Sequence, residues 1–132
     1  MYLVEKSFDF SAAHYLPKVP PDHPCASIHG HNYRITICYG AYELREGMVV
    51  DFNELDAIKH WIDATLDHGR KGTLNDVIEN PTSEELCKYI WKNAPHPRQP
   101  IDGELRVWIH FVEVKETEKT GARLYDDDRI GY

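Results

Sequence analysis

The sequence predicts an α+β fold, in which a mostly antiparallel four-stranded sheet is covered on one face by two helices. Three observations lead to this class. Two long segments alternate between apolar and polar residues, two others carry an apolar stripe at helical spacing, and one extended segment is almost continuously apolar. With 132 residues and no repeat or linker, the chain is expected to form a single domain over residues 1–132.

The first strand is predicted over residues 2–14, where apolar side chains and His14 share one parity and polar side chains take the other. Four prolines make residues 16–27 a loop, because proline cannot donate a hydrogen bond to a sheet. The second strand is predicted over residues 31–42, where aromatic and β-branched residues alternate with polar ones. If the chain is already extended at His29-Gly30-His31, both of these histidines also face inward.

Two helices are predicted in the middle of the chain. Asn53 is a suitable N-cap for the first helix, whose apolar stripe follows at intervals of three and four residues. The stripe consists of Leu55, Ile58, Ile62 and Leu66. The second helix begins at residues 81–85, where Thr82 and Glu85 have capping-box spacing, and it ends near Asn93 before two prolines.

Two further strands complete the predicted sheet. Residues 105–114 are nearly continuous in apolar and β-branched residues, which is typical of a central strand, and residues 122–125 form a short last strand. Residues 48–50 are predicted as an additional short strand. Every second residue along the third strand and just beyond it is expected to share one face of the sheet. These residues are Trp108, His110, Val112, Val114 and Glu116. Because a small sheet exposes its edges, assembly of subunits is expected.

Composition excludes several classes of partner. The 15 Lys and Arg against 22 Asp and Glu leave a net charge of −7, which repels a polyanionic backbone, so nucleic-acid binding is not expected. No apolar stretch approaches the roughly 20 residues of a membrane helix, and the first residues lack a signal-peptide pattern. Three scattered cysteines favour free thiols and a cytoplasmic location, with Cys38 and Cys87 in the core.

The strongest cluster of candidate ligands consists of His14 and His29-Gly30-His31. Histidines at i and i+2 of an extended segment point the same way, and a third on a neighbouring strand completes a three-nitrogen site. Three protein ligands leave one position open, which is the catalytic arrangement of zinc. By itself, however, a His-x-His pair is as often an ordinary polar segment. Three interpretations of Cys25 are open: it is a fourth metal ligand, an inert buried thiol or a reactive thiolate. We favour the reactive thiolate.

Two further segments present acid and base groups. Asp67-His68 ends the first predicted helix, although a histidine there also interacts with the helix dipole. Two interpretations of Glu116 are open. Its carboxylate is solvated at the end of a strand, or it pairs with a ligand that bears adjacent amino and N–H donors. Residues 82–84 are sufficiently explained as a helix cap. The remaining histidines are assigned to surface or packing roles: His23, His60, His96 and His110.

Five motifs are distributed over nearly the whole chain. They are Phe8-Asp9-Phe10-Ser11-Ala12-Ala13-His14, Cys25-x-x-x-His29-Gly30-His31, Leu66-Asp67-His68, Asn80-Pro81-Thr82-Ser83-Glu84 and Val114-Lys115-Glu116-Thr117. Together they resemble the 6-pyruvoyltetrahydropterin synthase family, and most closely its bacterial 6-carboxy-5,6,7,8-tetrahydropterin synthase branch. The three-residue gap between Cys25 and His29 is typical of that branch. The five residues between His68 and Leu74 exceed the usual two-residue spacer.

The resemblance implies a tunnelling fold, or T-fold, whose trimers stack into hexamers with active sites between subunits. The implied site residues are the zinc ligands His14, His29 and His31; the general base Cys25 with its relay partners Asp67 and His68; the pterin anchor Glu116, also described as part of the relay; and the pocket-lining Thr82, Ser83 and Glu84. The implied reaction converts 7,8-dihydroneopterin triphosphate into 6-carboxytetrahydropterin, acetaldehyde and triphosphate in queuosine biosynthesis. Two alternatives stay open: a 6-pyruvoyltetrahydropterin synthase, and a non-catalytic module that binds zinc or a pterin.

Overall fold

The computed structural model of the protein describes residues 1–69, 71–97 and 106–127. Four strands form one antiparallel sheet in the order β1 (Tyr2–His14), β2 (His29–Ala41), β3 (Trp108–Thr117) and β4 (Thr120–Tyr125). Two helices, α1 (Asp56–Thr65) and α2 (Ser83–Asn93), lie between β2 and β3 in the chain. The predicted α+β class, with a four-stranded antiparallel sheet and two helices, is therefore confirmed. Among the described residues, no helix is long and apolar enough to cross a membrane.

The hydrophobic core lies between the helices and one face of the sheet. Ile58, Ile62 and Leu66 of the predicted α1 stripe are buried, and α2 contributes Leu86 and Ile90. The sheet contributes alternating side chains: Phe8, Phe10, Ala12, Tyr33, Ile35, Ile37, Tyr39, Val112 and Val114. Burying a large apolar side chain stabilises a fold by about 1.5–3 kcal/mol relative to leaving it exposed. This core therefore fixes the two ends of β1 and β2 at which the histidines lie.

The first helix begins later than predicted. A 3-10 turn over Phe52–Leu55 precedes α1, and its N-cap is Asp51, whose carboxylate accepts a hydrogen bond from the Asn53 N–H at 2.9 Å. The prediction of Asn53 as N-cap is wrong because Asp51 already occupies the capping position two residues earlier. The second helix begins as predicted, since Thr82 Oγ1 accepts a hydrogen bond from the Glu85 N–H at 3.1 Å.

The prediction of a short strand over residues 48–50 is wrong. Met48 forms only an isolated antiparallel bridge with Arg45, across a turn in which Glu46 and Gly47 have φ values of 52° and 78°. The backbone groups of Arg45 and Met48 bond to each other at 2.9 Å in both directions. The two following valines are buried by packing, without a partner strand in the described parts of the chain.

A β-bulge in β3 changes which of its side chains share a face. The register between β2 and β3 shifts and leaves His110 as an extra residue. Because side chains alternate along a strand, the bulge turns Trp108 to the face opposite Val112, so the prediction of a shared face is wrong. There the indole lies against Gly40, at which an added Cβ would come within 2.6 Å of the ring.

The ends of the strands also differ from the prediction. β3 begins at Trp108 rather than at residue 105, which lies outside the described residues, and it continues to Thr117. A second register shift between Lys115 and Thr117 leaves Glu116 without a residue opposite it in β4. A bulge of this kind redirects a side chain away from the regular alternation. Glu116 is thereby placed at the edge of the candidate site.

Candidate metal centre and active site

β1 ends and β2 begins at the same end of the sheet, which brings three histidines together. His14 lies opposite His29 in the antiparallel register, and His31 follows two residues later on the same face. One ligand nitrogen from each ring lies within 4.8 Å of the other two. The rings meet edge to face, with centroids 4.6 to 5.0 Å apart. The predicted cluster of histidines therefore forms in space.

Backbone carbonyls orient two of the three rings. His14 Nδ1 donates to the Pro81 carbonyl at 2.9 Å, and His29 Nδ1 donates to the Ser27 carbonyl at 2.7 Å. A neutral ring that donates from Nδ1 keeps a lone pair on Nε2. The Nε2 atoms of His14 and His29 then face each other at 3.0 Å. Two lone pairs at this distance repel unless a cation or a proton lies between them.

His31 is half-buried and supplies the third nitrogen. Its Nε2 is buried and has no hydrogen-bond partner, although Oε2 of Glu116 lies 3.8 Å away. Burial lowers the pKa of both His14 and His31, against the opposing effects of the Pro81 carbonyl on His14 and of Glu116 on both. Burial thus favours the neutral form of His14 and His31, which is the form that binds a metal ion.

The donor atoms fit a divalent transition metal ion. Three imidazoles match a catalytic zinc ligand set, in which tetrahedral bonds of roughly 2.0–2.1 Å separate the nitrogens by about 3.3 Å. The 3.0 Å between His14 and His29 is close to that value. Within the described residues, this metal-type grouping contains the three histidines and does not include Cys25. A bound ion would therefore keep a coordination position for another ligand.

Glu116 is held between β3 and α2. Ser83, the buried first residue of α2, donates from Oγ to Glu116 Oε1 at 3.0 Å. Since Oε2 lies 3.8 Å from His31, the carboxylate borders the histidine cluster directly. Thr82 Oγ1 serves as the helix cap, and Glu84 is exposed, with no ion pair to another described residue. Of the three predicted pocket-lining residues, Ser83 is the one that contacts Glu116.

The pair Asp67-His68 lies beside β1, just beyond α1. Asp67 Oδ1 accepts a hydrogen bond from the Ser11 N–H at 3.0 Å, which lowers the pKa of this carboxyl group. The same oxygen lies 3.1 Å from His68 Nδ1. His68 has a φ of 61°, its N–H donates to the Ser11 carbonyl at 2.7 Å, and its ring is exposed. The pair thus presents an accessible imidazole oriented by a carboxylate.

Cys25 is not joined to this pair within one chain. It occupies the 3-10 turn Pro24–Ala26, where its N–H donates to His23 Nδ1 at 3.0 Å. Its side chain is only partly buried. In the parts of the chain that the structure describes, no hydrogen bond links the Cys25 thiol to Asp67 or His68. The three predicted acid and base groups do not form one hydrogen-bonded set in a single subunit.

A depression over the sheet connects the separate groups. It has a volume of about 1150 Å³, and the residues that border it include His31, Glu116, Asp67 and His68. A smaller groove of about 460 Å³ is also shared by His31 and His68. His31 of the histidine cluster and the Asp67-His68 pair therefore border the same surface, where one bound molecule could contact both.

Several contributors to the site were missed by sequence reasoning. The buried Tyr33 hydroxyl lies 3.2 Å from His14 Nδ1, and burial raises the pKa of this tyrosine. Its parity, shared with His29 and His31, could have revealed it. Ser11 and the Pro81 carbonyl act through the backbone, which leaves no signal in the identity of a side chain.

Comparison with known proteins decides the family. The family model described as 6-pyruvoyl tetrahydropterin synthase matches residues 3–127. The chain belongs to this family. A relative from Archaeoglobus fulgidus is 38% identical over 118 residues, covering 89% of this chain and 90% of the relative, and carries 6-carboxy-5,6,7,8-tetrahydropterin synthase as a provisional name. A Synechocystis protein with the same name is 32% identical over 132 residues, covering 95% of this chain and 94% of its own.

A solved structure from the same family agrees with the fold. Caenorhabditis elegans 6-pyruvoyl tetrahydropterin synthase superposes with a TM-score of 0.73 at 23% identity, covering 96% of both chains. At this identity the likeness concerns the fold alone. The four-stranded sheet with two helices is thus the T-fold that the motifs implied, and the family resemblance found in the sequence is confirmed.

Proposed function

We propose that the chain is a zinc-dependent 6-carboxy-5,6,7,8-tetrahydropterin synthase, a carbon–carbon lyase of queuosine biosynthesis. Its substrate would be 7,8-dihydroneopterin triphosphate, and its products 6-carboxytetrahydropterin, acetaldehyde and triphosphate. The observation that carries the proposal is the meeting of three histidine nitrogens beside a carboxylate 3.8 Å from one of them. The names of the two curated relatives support the choice of this reaction within the family.

His14, His29 and His31 would hold the zinc ion. Bound there, zinc supplies a Lewis acid that polarises oxygen atoms of the substrate side chain. The contribution of the protein is to direct the ligands and, by burial, to favour the neutral form of His14 and His31. Hydrogen bonds to the Pro81 and Ser27 carbonyls orient two rings, and burial keeps the third nitrogen free of other partners.

Cys25 is the proposed general base, and His68 with Asp67 is the proposed proton relay. A thiolate can take a proton from the substrate side chain, and an exposed imidazole can return one at another carbon or oxygen. Asp67 stays ionised because the Ser11 N–H bonds to it, so it keeps the His68 Nδ1–H in place and stabilises the imidazolium. Both groups are needed because isomerisation, triphosphate elimination and C–C cleavage each move protons.

Glu116 is the proposed anchor for the pterin ring, with a further role in the relay. A pterin presents an exocyclic amino group beside a ring N–H, and a carboxylate accepts both in one bidentate pair. The Ser83 hydrogen bond holds this carboxylate at the edge of the histidine cluster. Thr82, Ser83 and Glu84 are accordingly proposed to line the pterin pocket at the beginning of α2.

We also propose that the active sites lie between subunits of a trimer or hexamer. Within one described chain, Cys25 is not hydrogen-bonded to Asp67 or His68, which suits a site completed by a neighbour. β4 forms one edge of the sheet, and no other strand of the described residues pairs with its outer side, which suits pairing with another subunit. In this assembly residues 1–132 act as one domain, and the three free thiols favour the cytoplasm.

The deciding experiment is mass spectrometry of the products formed from 7,8-dihydroneopterin triphosphate by the purified, zinc-loaded protein. We expect 6-carboxytetrahydropterin and stoichiometric acetaldehyde. A 6-pyruvoyl product without acetaldehyde would instead assign the pyruvoyl synthase reaction, which stops before C–C cleavage. Pterin or zinc binding without any turnover would identify a non-catalytic module.

A further inference from the structure

We infer that Asn75 is a positioning residue for His14: its carboxamide clamps the backbone beside this ligand to the segment that orients the ligand's ring. The inference rests on the proposed metal site and adds a residue to the machinery that shapes it. It concerns the edge of β1 opposite to the one that pairs with β2. There the chain after α1 runs alongside the strand in the same direction, and residues 67–69 and 71–75 are called the edge segment below.

The edge segment contacts alternate residues at the end of β1. The backbone N–H and carbonyl of Ser11 bond to the Asp67 carboxylate and the His68 N–H, at 3.0 and 2.7 Å. Two residues later, Ala13 forms a parallel bridge with Thr73. The backbone groups of every second residue face the edge segment, so the next residue to face it is Tyr15. Tyr15 follows the strand and precedes the proline-rich loop.

At Tyr15 a side chain replaces the missing strand partner. Asn75 Oδ1 accepts a hydrogen bond from the Tyr15 N–H at 3.0 Å, and Asn75 Nδ2 donates to the Tyr15 carbonyl at 2.8 Å. A carboxamide satisfies both backbone groups of one residue in this way, as a neighbouring strand would. Because β1 ends at His14, this clamp fixes the outer side of the strand terminus, while the pairing of His14 with His29 fixes the inner side.

The clamp also reaches the group that orients the His14 ring. Asn75 Nδ2 lies 3.4 Å from the Glu79 carbonyl, two residues before Pro81, whose carbonyl accepts the hydrogen bond from His14 Nδ1. One carboxamide thus bonds both to the backbone next to His14 and to the segment that orients the His14 ring. Leu74, the buried neighbour of Asn75, anchors this point to the core.

The physical consequence concerns metal affinity more than folding. The three ligand nitrogens must stay within a few tenths of an ångström of their places to bind an ion well. Loss of the clamp loosens the outer side of β1 at its end, while the pairing of His14 with His29 and the core contacts of the sheet and helices remain. Groups that orient ligands from outside the coordination sphere typically change metal affinity by about 10- to 100-fold.

The test compares Asn75→Ala and Asn75→Asp with the wild-type protein. Zinc affinity is measured by competition with a chromophoric chelator, the ligand geometry by the visible spectrum of the Co²⁺-loaded protein, and stability of the metal-free protein by urea unfolding. We expect Asn75→Ala to weaken zinc binding by about 10- to 100-fold and to alter the Co²⁺ spectrum. Asn75→Asp retains an acceptor for the Tyr15 N–H but loses the donor, so it should fold and still bind zinc more weakly.

Asn93→Ala is the matched control. Asn93 also donates from its carboxamide to a backbone carbonyl, that of Tyr89 at 2.9 Å, but it lies on α2 away from the histidines. It should leave zinc affinity within about twofold of wild type. If Asn75→Ala fails to fold, the zinc affinity and the Co²⁺ spectrum of Asn75→Asp decide whether Asn75 has the positioning role.

The outcomes separate this inference from the proposed function. Folded Asn75 variants that bind zinc as tightly as wild type, with an unchanged Co²⁺ spectrum, would overturn the positioning role alone. A wild-type protein that binds no zinc would overturn the metal site itself, and the positioning role with it.

Discussion

Individual side chains at the site take their orientation from backbone groups more than from one another. The carbonyls of Ser27 and Pro81 hold two imidazoles, and the Ser11 N–H holds Asp67. Backbone groups persist when neighbouring side chains change, so this part of the geometry does not depend on the identity of those residues. Substitution of a reactive side chain should therefore affect chemistry while leaving the surrounding frame intact.

Cys25→Ala should abolish turnover and keep both the zinc content and the fold. The thiol lies outside the histidine grouping, so its removal eliminates a proton acceptor without removing a ligand. Steady-state assays and metal analysis measure the two effects. The controls are Cys38→Ser and Cys87→Ser: burial raises the pKa of these thiols to about 12 and about 11, so their loss should affect stability rather than turnover. Loss of zinc from Cys25→Ala would show that the thiol is a ligand.

Glu116→Gln should weaken pterin binding by roughly 10- to 100-fold, because a charge-assisted pair contributes about 1.5–3 kcal/mol. The glutamine amide would place a donor against a pterin donor, whereas zinc content should not change. Calorimetric titration with a pterin product measures the affinity. Glu43→Gln, at an exposed position just after the end of β2 opposite to the histidines, is the control and should bind as wild type does. Equal affinities for wild type and Glu116→Gln would remove Glu116 from the pterin site.

At the scale of elements, the turn after α1 depends on one glycine. Gly69 has a φ of 65°, and an added Cβ would lie 2.3 Å from the Thr73 carbonyl oxygen. Gly69→Ala should therefore lower the free energy of unfolding by about 2–3 kcal/mol. Gly47 has a similar φ of 78°, but no neighbouring atom lies within 4 Å of an added Cβ. Gly47→Ala should therefore lower the free energy of unfolding by about 1 kcal/mol. Urea unfolding at a fixed protein concentration compares them, and equal losses would contradict the steric argument.

The end of α2 is held by a half-buried histidine, His96. His96 Nε2 donates to the carbonyls of Ile90 and Trp91 at 3.2 and 3.0 Å, and its Nδ1 accepts from the Tyr39 hydroxyl at 2.7 Å. Burial lowers the pKa of His96 from its ordinary value of 6.5, against the raising effect of the two carbonyls. The neutral ring is therefore the form that stabilises this helix end.

The free energy of unfolding should consequently fall as the pH drops below about 6.5. In that range the unfolded chain binds a proton that folded His96 resists, so stability rises with pH. His96→Gln should flatten this dependence and cost about 1 kcal/mol near neutral pH. Urea unfolding of metal-free protein at several pH values tests this, with the exposed His60→Gln as control. Parallel pH profiles for wild type and His96→Gln would contradict it.

At the scale of the whole molecule, sites shared between subunits should allow complementation. Inactive Cys25→Ala and His68→Ala proteins, mixed under denaturing conditions and refolded together, should regain up to about a quarter of wild-type activity, since mixed interfaces restore intact pairs of residues. Turnover of the mixture measures this, and each variant refolded alone is the control. Mixtures that stay inactive, although sedimentation shows mixed oligomers, would place both residues in a site within one subunit.

Much of the fold and the candidate ligands could be predicted because they depend on local patterns. Alternation over β1 and β2 identified both strands, helical spacing identified Ile58 and Ile62 as core residues, and capping-box spacing located the beginning of α2. The errors arose where a neighbour in space or a competing cap intervened. The bulge at His110 reversed the face of Trp108, and Asp51 displaced Asn53 as the capping residue.

The family, the class of fold and the residue types of the site follow from motif spacing and periodicity, which are properties of the chain alone. The way in which those residues are held depends on contacts between distant parts of the chain. The pairing of β1 with β2 set His14 against His29, and packing brought the Pro81 carbonyl and the Asn75 carboxamide to the same strand end. Such contacts join residues about 60 or more positions apart through backbone atoms, which every residue carries and which no sequence pattern distinguishes.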